Sequence, residues 1–153
     1  MADEVLAEES WFVNCAAVVI AVRQRARELG LELGLDTKAA EMVAIAVSEL
    51  ANNIVDHAGT GGLLMRTVRE QGRLALVAIA SDRGPGIPDV EWALTDGCSS
   101  TGSLGCGLPA VRRLMDEFRI DSAVGRGTVV STKKWLKNSS DTQQWRSDGN
   151  AGS

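Results

Sequence analysis

The chain has 153 residues, 44% of them hydrophobic and 24% charged, with a formal net charge of -4. That length suits one domain with a single core, and an acidic chain without a basic stripe and interleaved aromatics gives no reason to expect a nucleic-acid partner. No apolar run reaches the length of a membrane span, and the acidic start Met1-Ala2-Asp3-Glu4 lacks the plan of a secretory signal.

Cys15, Cys98 and Cys106 are odd in number and lack metal-ligand spacing, and His57 is the one histidine, so a zinc site is not expected. The cysteines read as reduced thiols of a cytoplasmic protein. A weak early edge strand is placed near Ser10–Asn14. Residues 17–33 carry apolar positions at helical spacing, with Gly34 as a stop. Asp36 or Thr37 then caps a second helix running to about Asp56, with an apolar stripe of Val43, Ala46, Val47, Leu50 and Ile54. The β-branched runs 62–69 and 73–81, separated by Glu70-Gln71-Gly72, form a hairpin pattern.

Pro85 and Pro88 break the chain after that hairpin, and residues 95–107 form a loop rich in Gly, Ser and Thr. A third helix is expected from about Leu108 to Phe118, followed by a hairpin pairing 118–124 with 127–135 around Gly125-Arg126-Gly127. From Asn138 the composition turns to Ser, Asp, Gln, Asn and Gly, so a single folded domain over 1–137 and a disordered tail over 138–153 are expected. Helices interspersed with hairpins imply a two-layer α/β (α+β) sandwich, not a doubly wound parallel sheet.

Three segments carry candidate chemistry. In Ser48-Glu49-Leu50-Ala51-Asn52-Asn53, Glu49, Asn53 and His57 are spaced i, i+4, i+8 along one ridge bordering the apolar stripe. An Asn amide oxygen is a hard neutral ligand suited to Mg²⁺, and a nearby carboxylate can polarise an attacking hydroxyl. Taken alone, this segment suits a solvated polar face better. Ser81-Asp82-Arg83-Gly84-Pro85-Gly86-Ile87-Pro88 ends a strand in a carboxylate able to accept from an amino group, then offers glycines that let backbone approach a ligand. The same residues suit an ordinary turn. A Rossmann reading fails, since Gly84-x-Gly86 lacks the third glycine and Pro88 stands where a helix should begin.

The third segment, Ser99-Ser100-Thr101-Gly102-Ser103-Leu104-Gly105-Cys106-Gly107-Leu108, enters a helix, where free N–H groups bind phosphate. Serine-glycine loops are also common connectors. No Lys or Arg lies between Gly84 and Gly107, and an exposed helix terminus contributes only about 0.3–1 kcal/mol toward an anion. A triphosphate here therefore requires Mg²⁺ held through Asn53.

In this order the three segments resemble the N, G1 and G2 boxes of the GHKL (Bergerat-fold) ATPases and kinases, and Gly125-x-Gly127-Thr128 resembles the fourth box. SELANN, DRGPGIPD, DGCSSTGSLGCGLPAVRRLMDEF and the closing KKWL are similar to the RsbT-type switch kinases of stressosome and anti-sigma-factor pathways, over roughly residues 10–137. The resemblance implies a mostly antiparallel mixed sheet covered on one face by about three helices. It implies an ATP- and Mg²⁺-dependent serine/threonine kinase in which Glu49 is the catalytic carboxylate and Asn53 binds Mg²⁺. Asp82 would read adenine, Gly84 and Gly86 would shape the base pocket, and Thr128 would support the base through water. Residues 95–107 would form a short lid in which Ser100, Thr101, Gly102, Ser103, Leu104, Gly105, Cys106, Gly107 and Leu108 surround the phosphates. Cys106 departs from the family, which commonly has a small residue, often Ala, at that place. His57, at the helix end, is expected to be a favourable cap more than a proton carrier.

The resemblance further implies STAS-domain scaffold and antagonist proteins as substrates, and a PP2C-type phosphatase or related output protein as the partner of the released kinase. The alternative is a nucleotide-dependent binding module without significant catalysis, an anti-sigma factor or phosphatase activator. A detached histidine-kinase domain fits poorly, because His57 lies inside the ATP-site helix; a simple ATP hydrolase fits poorly too, because nothing positions a water.

Overall fold

The computed structural model describes residues 3–95 and 107–137. The elements follow in the order β1 (Glu4–Val13), α1 (Ala16–Leu33), α2 (Thr37–His57), β2 (Gly61–Glu70), β3 (Arg73–Asp82), α3 (Val90–Ala93), α4 (Leu108–Leu114), β4 (Glu117–Ala123) and β5 (Gly127–Trp135). The five strands make one sheet in the order β1-β2-β3-β5-β4. Every pairing among the described strands is antiparallel, so the expected mixed component is absent from them. The reason is in the connections. Two helices join β1 to β2, and a pair of reversals returns the chain to the end it left; a single helix would have made the pair parallel.

Local sequence accounts for most boundaries. Gly34 takes φ +115 and closes α1, with Leu35 N–H donating to Gly30 O at 2.9 Å. Of the two residues proposed to cap α2, Asp36 does so, its Oδ1 accepting from Ala39 N–H at 2.7 Å. Gln71 and Gly72, at φ 52 and 80, form the two-residue turn that the right-handed twist of a β2–β3 hairpin favours.

The core lies between the helices and one face of the sheet. From α2, Val43, Val47, Leu50 and Ile54 pack with Leu63 and Met65 of β2 and Leu76, Ala78 and Ala80 of β3. Burying a side chain such as Leu50 or Ile54 contributes about 1.5–3 kcal/mol, which fixes the rotation of α2 and so the direction of its polar ridge.

Three boundaries depart from expectation. The third helix stops at Leu114 instead of Phe118. Met115 is extended and buried, Asp116 N–H donates to Lys133 O at 2.9 Å, and β4 begins at Glu117 because Phe118 pairs with Thr132. Lys134, itself buried, seals the shortened helix by donating to Leu114 O at 2.8 Å. The four-residue α3 was not expected; Asp89 caps it by accepting from Trp92 N–H at 2.9 Å.

β1 is the third departure, running from Glu4 rather than Ser10. Its acidic residues are held by partners from other elements: Glu4 pairs with Arg69 and Glu8 with Arg66 of β2, and Glu9 with Arg25 of α1. The Arg25 guanidinium holds the Glu9 carboxyl below its ordinary pKa, against an opposing effect of desolvation. A lowered carboxylate pKa contributes stability above the unfolded value and loses it as pH falls through the folded one. Arg25→Ala is therefore expected to cost about 1 kcal/mol at pH 7. In urea unfolding, the gap between wild type and variant should narrow as pH drops below about 4.3. A gap that stays constant down to pH 3 would show that packing, not charge, sets the cost.

Candidate functional site

One end of the molecule gathers the C-terminus of α2, the end of β3, the start of α4 and the β4–β5 hairpin. There Asn53, Asp82, Gly86, Leu108 and Thr128 line one cavity of about 500 Å³. Asn53 stands on the half-buried ridge beside the buried Leu50 and Ile54, and His57 ends α2 at the same wall. Glu49 lies one turn before Asn53, outside the cavity lining, and packs against Gly107, the neighbour of the cavity-lining Leu108. A Cβ on Gly107 would come 2.2 Å from Glu49 Oε2 and 3.0 Å from Glu49 Cβ. Glycine lets the start of α4 press against that carboxylate without displacing it.

Asp82 is held in place by its neighbours. Its Oδ1 accepts from Gly84 N–H at 2.8 Å, and a Cβ on Gly84 would lie 2.8 Å from Ala58 Cβ. Gly84 therefore serves by close approach and does not itself line the cavity. Gly86, at φ +78, does require glycine conformationally: a Cβ there would sit 2.1 Å from Ala123 O. With Gly125 N–H donating to Pro85 O at 3.0 Å, the loop after β3 is docked against the β4–β5 hairpin.

Register supplies a feature that no sequence pattern signals. Asp82 of β3 pairs with Thr128 of β5, and Thr128 with Ser122 of β4, so three polar side chains share one rung at the end of the sheet. Ser122 Oγ accepts from Ile87 N–H at 2.8 Å, donates to Gly127 O at 3.2 Å, and lies 2.8 Å from Thr128 Oγ1. Ser122 was missed because an isolated serine in a strand resembles a surface residue. Trp92 and Ala93, on the unforeseen α3, form a further apolar wall with Ile87 and Pro88. A floor of Leu50, Ile54, Ala80 and Val130 completes a mostly apolar cavity edged by carboxylates, the character of a small-molecule site with a few orienting polar groups.

The lid residues Ser100, Thr101, Gly102, Ser103, Leu104, Gly105 and Cys106 lie outside the described residues, as do Cys98 and the tail over 138–153. Cys15 is exposed and free. Asp56, Asp82 and Asp89 line the cavity, whereas no Lys or Arg does among the described residues. The seven-residue α4 adds only a small terminal dipole. The oxygen donors at this end, the Asn53 amide among them, have the chemistry of ligands for a hard cation.

The chain belongs to the histidine kinase-like ATPase domain family, whose model matches residues 13–134. It is 44% identical over 119 residues to the serine/threonine-protein kinase RsbT of Bacillus subtilis, covering 78% of this chain and 90% of that one. It is 34% identical over 103 residues to the anti-sigma F factor of Pasteuria penetrans, covering 63% of this chain and 69% of the relative. A crystal structure of RsbU and RsbW domains from Mycobacterium tuberculosis shares the fold at a TM-score of 0.53 and 20% identity. That match covers 85% of this chain and 33% of the larger one. No helix among the described residues is long and apolar enough to cross a membrane.

Proposed function

We propose that the protein is a cytoplasmic ATP- and Mg²⁺-dependent serine/threonine kinase that phosphorylates STAS-domain regulators in a partner-switching pathway. The observation that carries this reading is the convergence of Asn53, Asp82 and Thr128 on one cavity, with the Glu49 carboxylate one helical turn beyond Asn53. The similarity to a serine/threonine-protein kinase over 90% of that relative's length supports it.

In this reading the apolar floor takes the adenine ring and Asp82 accepts from its amino group. Asn53 presents its amide oxygen to Mg²⁺, which when bound offsets the negative charge of the triphosphate. Glu49, sheltered against Gly107, orients the substrate hydroxyl and takes its proton as the bond to the γ-phosphorus forms and the bond to the β-phosphate oxygen breaks. Gly107, at the start of α4, lies beside the phosphates in this reading. Such transfer demands chiefly positioning and charge stabilisation, and that is what these residues offer.

The test is transfer of labelled γ-phosphate from ATP to a serine or threonine of the cognate STAS protein. Label is expected on that protein with Mg²⁺ and not with a chelator. Stable binding of the partner with ATP present, but no transferred label, would support the second reading. In that reading the chain is a nucleotide-dependent anti-sigma factor or phosphatase activator, as the similarity to an anti-sigma F factor suggests. A PP2C-type phosphatase is the proposed output partner of the kinase once released.

A further inference from the structure

We propose that Ser122 is a specificity-determining positioning residue: it fixes the direction of the Thr128 hydroxyl so that the cavity selects a 6-amino purine over a 6-oxo purine. The inference rests on the nucleotide reading of the cavity. Ser122 Oγ meets three partners, Ile87 N–H, Gly127 O and Thr128 Oγ1. A hydroxyl has one proton and two lone pairs. One allocation satisfies all three contacts: Ser122 donates to Gly127 O and accepts from Ile87 N–H and from the Thr128 hydroxyl. The reverse, with Ser122 donating to Thr128, leaves Ser122 Oγ facing Gly127 O at 3.2 Å with no proton between the two oxygens.

With its proton committed to Ser122, Thr128 turns only lone pairs toward the cavity it lines. Asp82, its cross-strand partner, is likewise an acceptor when ionised. The end of the slot therefore presents two acceptors and calls for a ligand edge that donates. A 6-amino group meets that demand, directly or through a bridging water; a 6-oxo group sets an acceptor against acceptors. Without Ser122, the Thr128 hydroxyl is free to rotate and donate into the cavity. The same hydroxyl ties the loop after β3 to the hairpin through Ile87, so Ser122 has a structural role as well, and the test must separate the two.

The experiment measures binding of ATP and of inosine triphosphate, its 6-oxo counterpart, to the full chain with Mg²⁺. Wild type is expected to prefer ATP. Ser122→Ala is expected to compress the ATP-to-inosine-triphosphate affinity ratio by about five-fold, the scale of one net hydrogen bond. Ser122→Thr, which keeps the hydroxyl and suits a strand, is expected to restore the ratio. Thr128→Val, which leaves the Ser122–Ile87 bond in place, is expected to compress the ratio as far as Ser122→Ala does, and the double variant no further. Equal loss of affinity for both nucleotides in Ser122→Ala, or a ratio unchanged in Thr128→Val, would overturn the proposal while leaving the nucleotide site standing. Wild type that binds neither nucleotide would overturn the nucleotide reading itself, and this inference with it.

Discussion

Glu49→Gln is expected to lower phosphotransfer by about two to four orders of magnitude, the range that a positioned general base contributes, while ATP affinity stays within about two-fold of wild type. The substitution suits the site because glutamine has the same size and can occupy the space against Gly107, where Glu49 Oε2 leaves no room for a Cβ. What it removes is the capacity to take a proton. Glu49 is half-buried and is absent from the residues lining the cavity, so a loss of rate without a loss of binding is the mark of its proposed role. The measurement pairs single-turnover transfer of labelled phosphate with calorimetric titration of ATP. Transfer at the wild-type rate would remove Glu49 from the reaction and leave the binding-module reading in its place.

The second large effect is expected at Asp82. Replacing it with asparagine keeps an oxygen for the Gly84 N–H, which Asp82 Oδ1 accepts at 2.8 Å, and so preserves the turn. It removes the charge and turns part of an acceptor-only edge into a donor. Hydrogen bonds to charged groups contribute about 1.5–3 kcal/mol, so ATP affinity should fall about thirty-fold. If Asp82 only holds the base, the KM for ATP rises while kcat at saturating ATP stays near wild type. A fall in kcat with unchanged KM would instead place Asp82 at the reacting end, contradicting the orientation proposed for the nucleotide. Together the two variants separate the ends of the cavity: one changes rate at constant affinity, the other affinity at constant rate.

Much of this was legible beforehand because it is written in local patterns. The α2 ridge follows from spacing alone, since Glu49, Asn53 and His57 are four residues apart and a helix stacks such positions. Gly34, Asp36 and the Gln71-Gly72 turn act within a few residues of themselves. The cavity proposed for the nucleotide was legible in a different way. Its segments are scattered along the chain, and their combined resemblance to a known family, rather than any one of them, pointed to a shared site.

What stayed hidden depends on neighbours distant in sequence. Residues 115–118 carry a helical pattern, but pairing with β5 and the burial of Met115 outweigh a small local preference. The acidic β1 holds its place because Arg25, Arg66 and Arg69 arrive from elsewhere to pair with it. Ser122 gains a role only through register: a slip of one residue would turn it to the opposite face of the sheet.

The sequence by itself determined the class of fold, the polar ridge of α2, the carboxylate at the end of β3 and the absence of cations between Gly84 and Gly107. Each is a matter of period, capping or composition, and needs no knowledge of what lies across the molecule. Only the tertiary structure decided which of these residues meet. It set Glu49 against Gly107, brought Asn53 and Thr128 to the same cavity, and joined Asp82, Thr128 and Ser122 in one rung. Contacts of that kind arise when packing and strand register bring together residues dozens of positions apart, and no local pattern encodes the result.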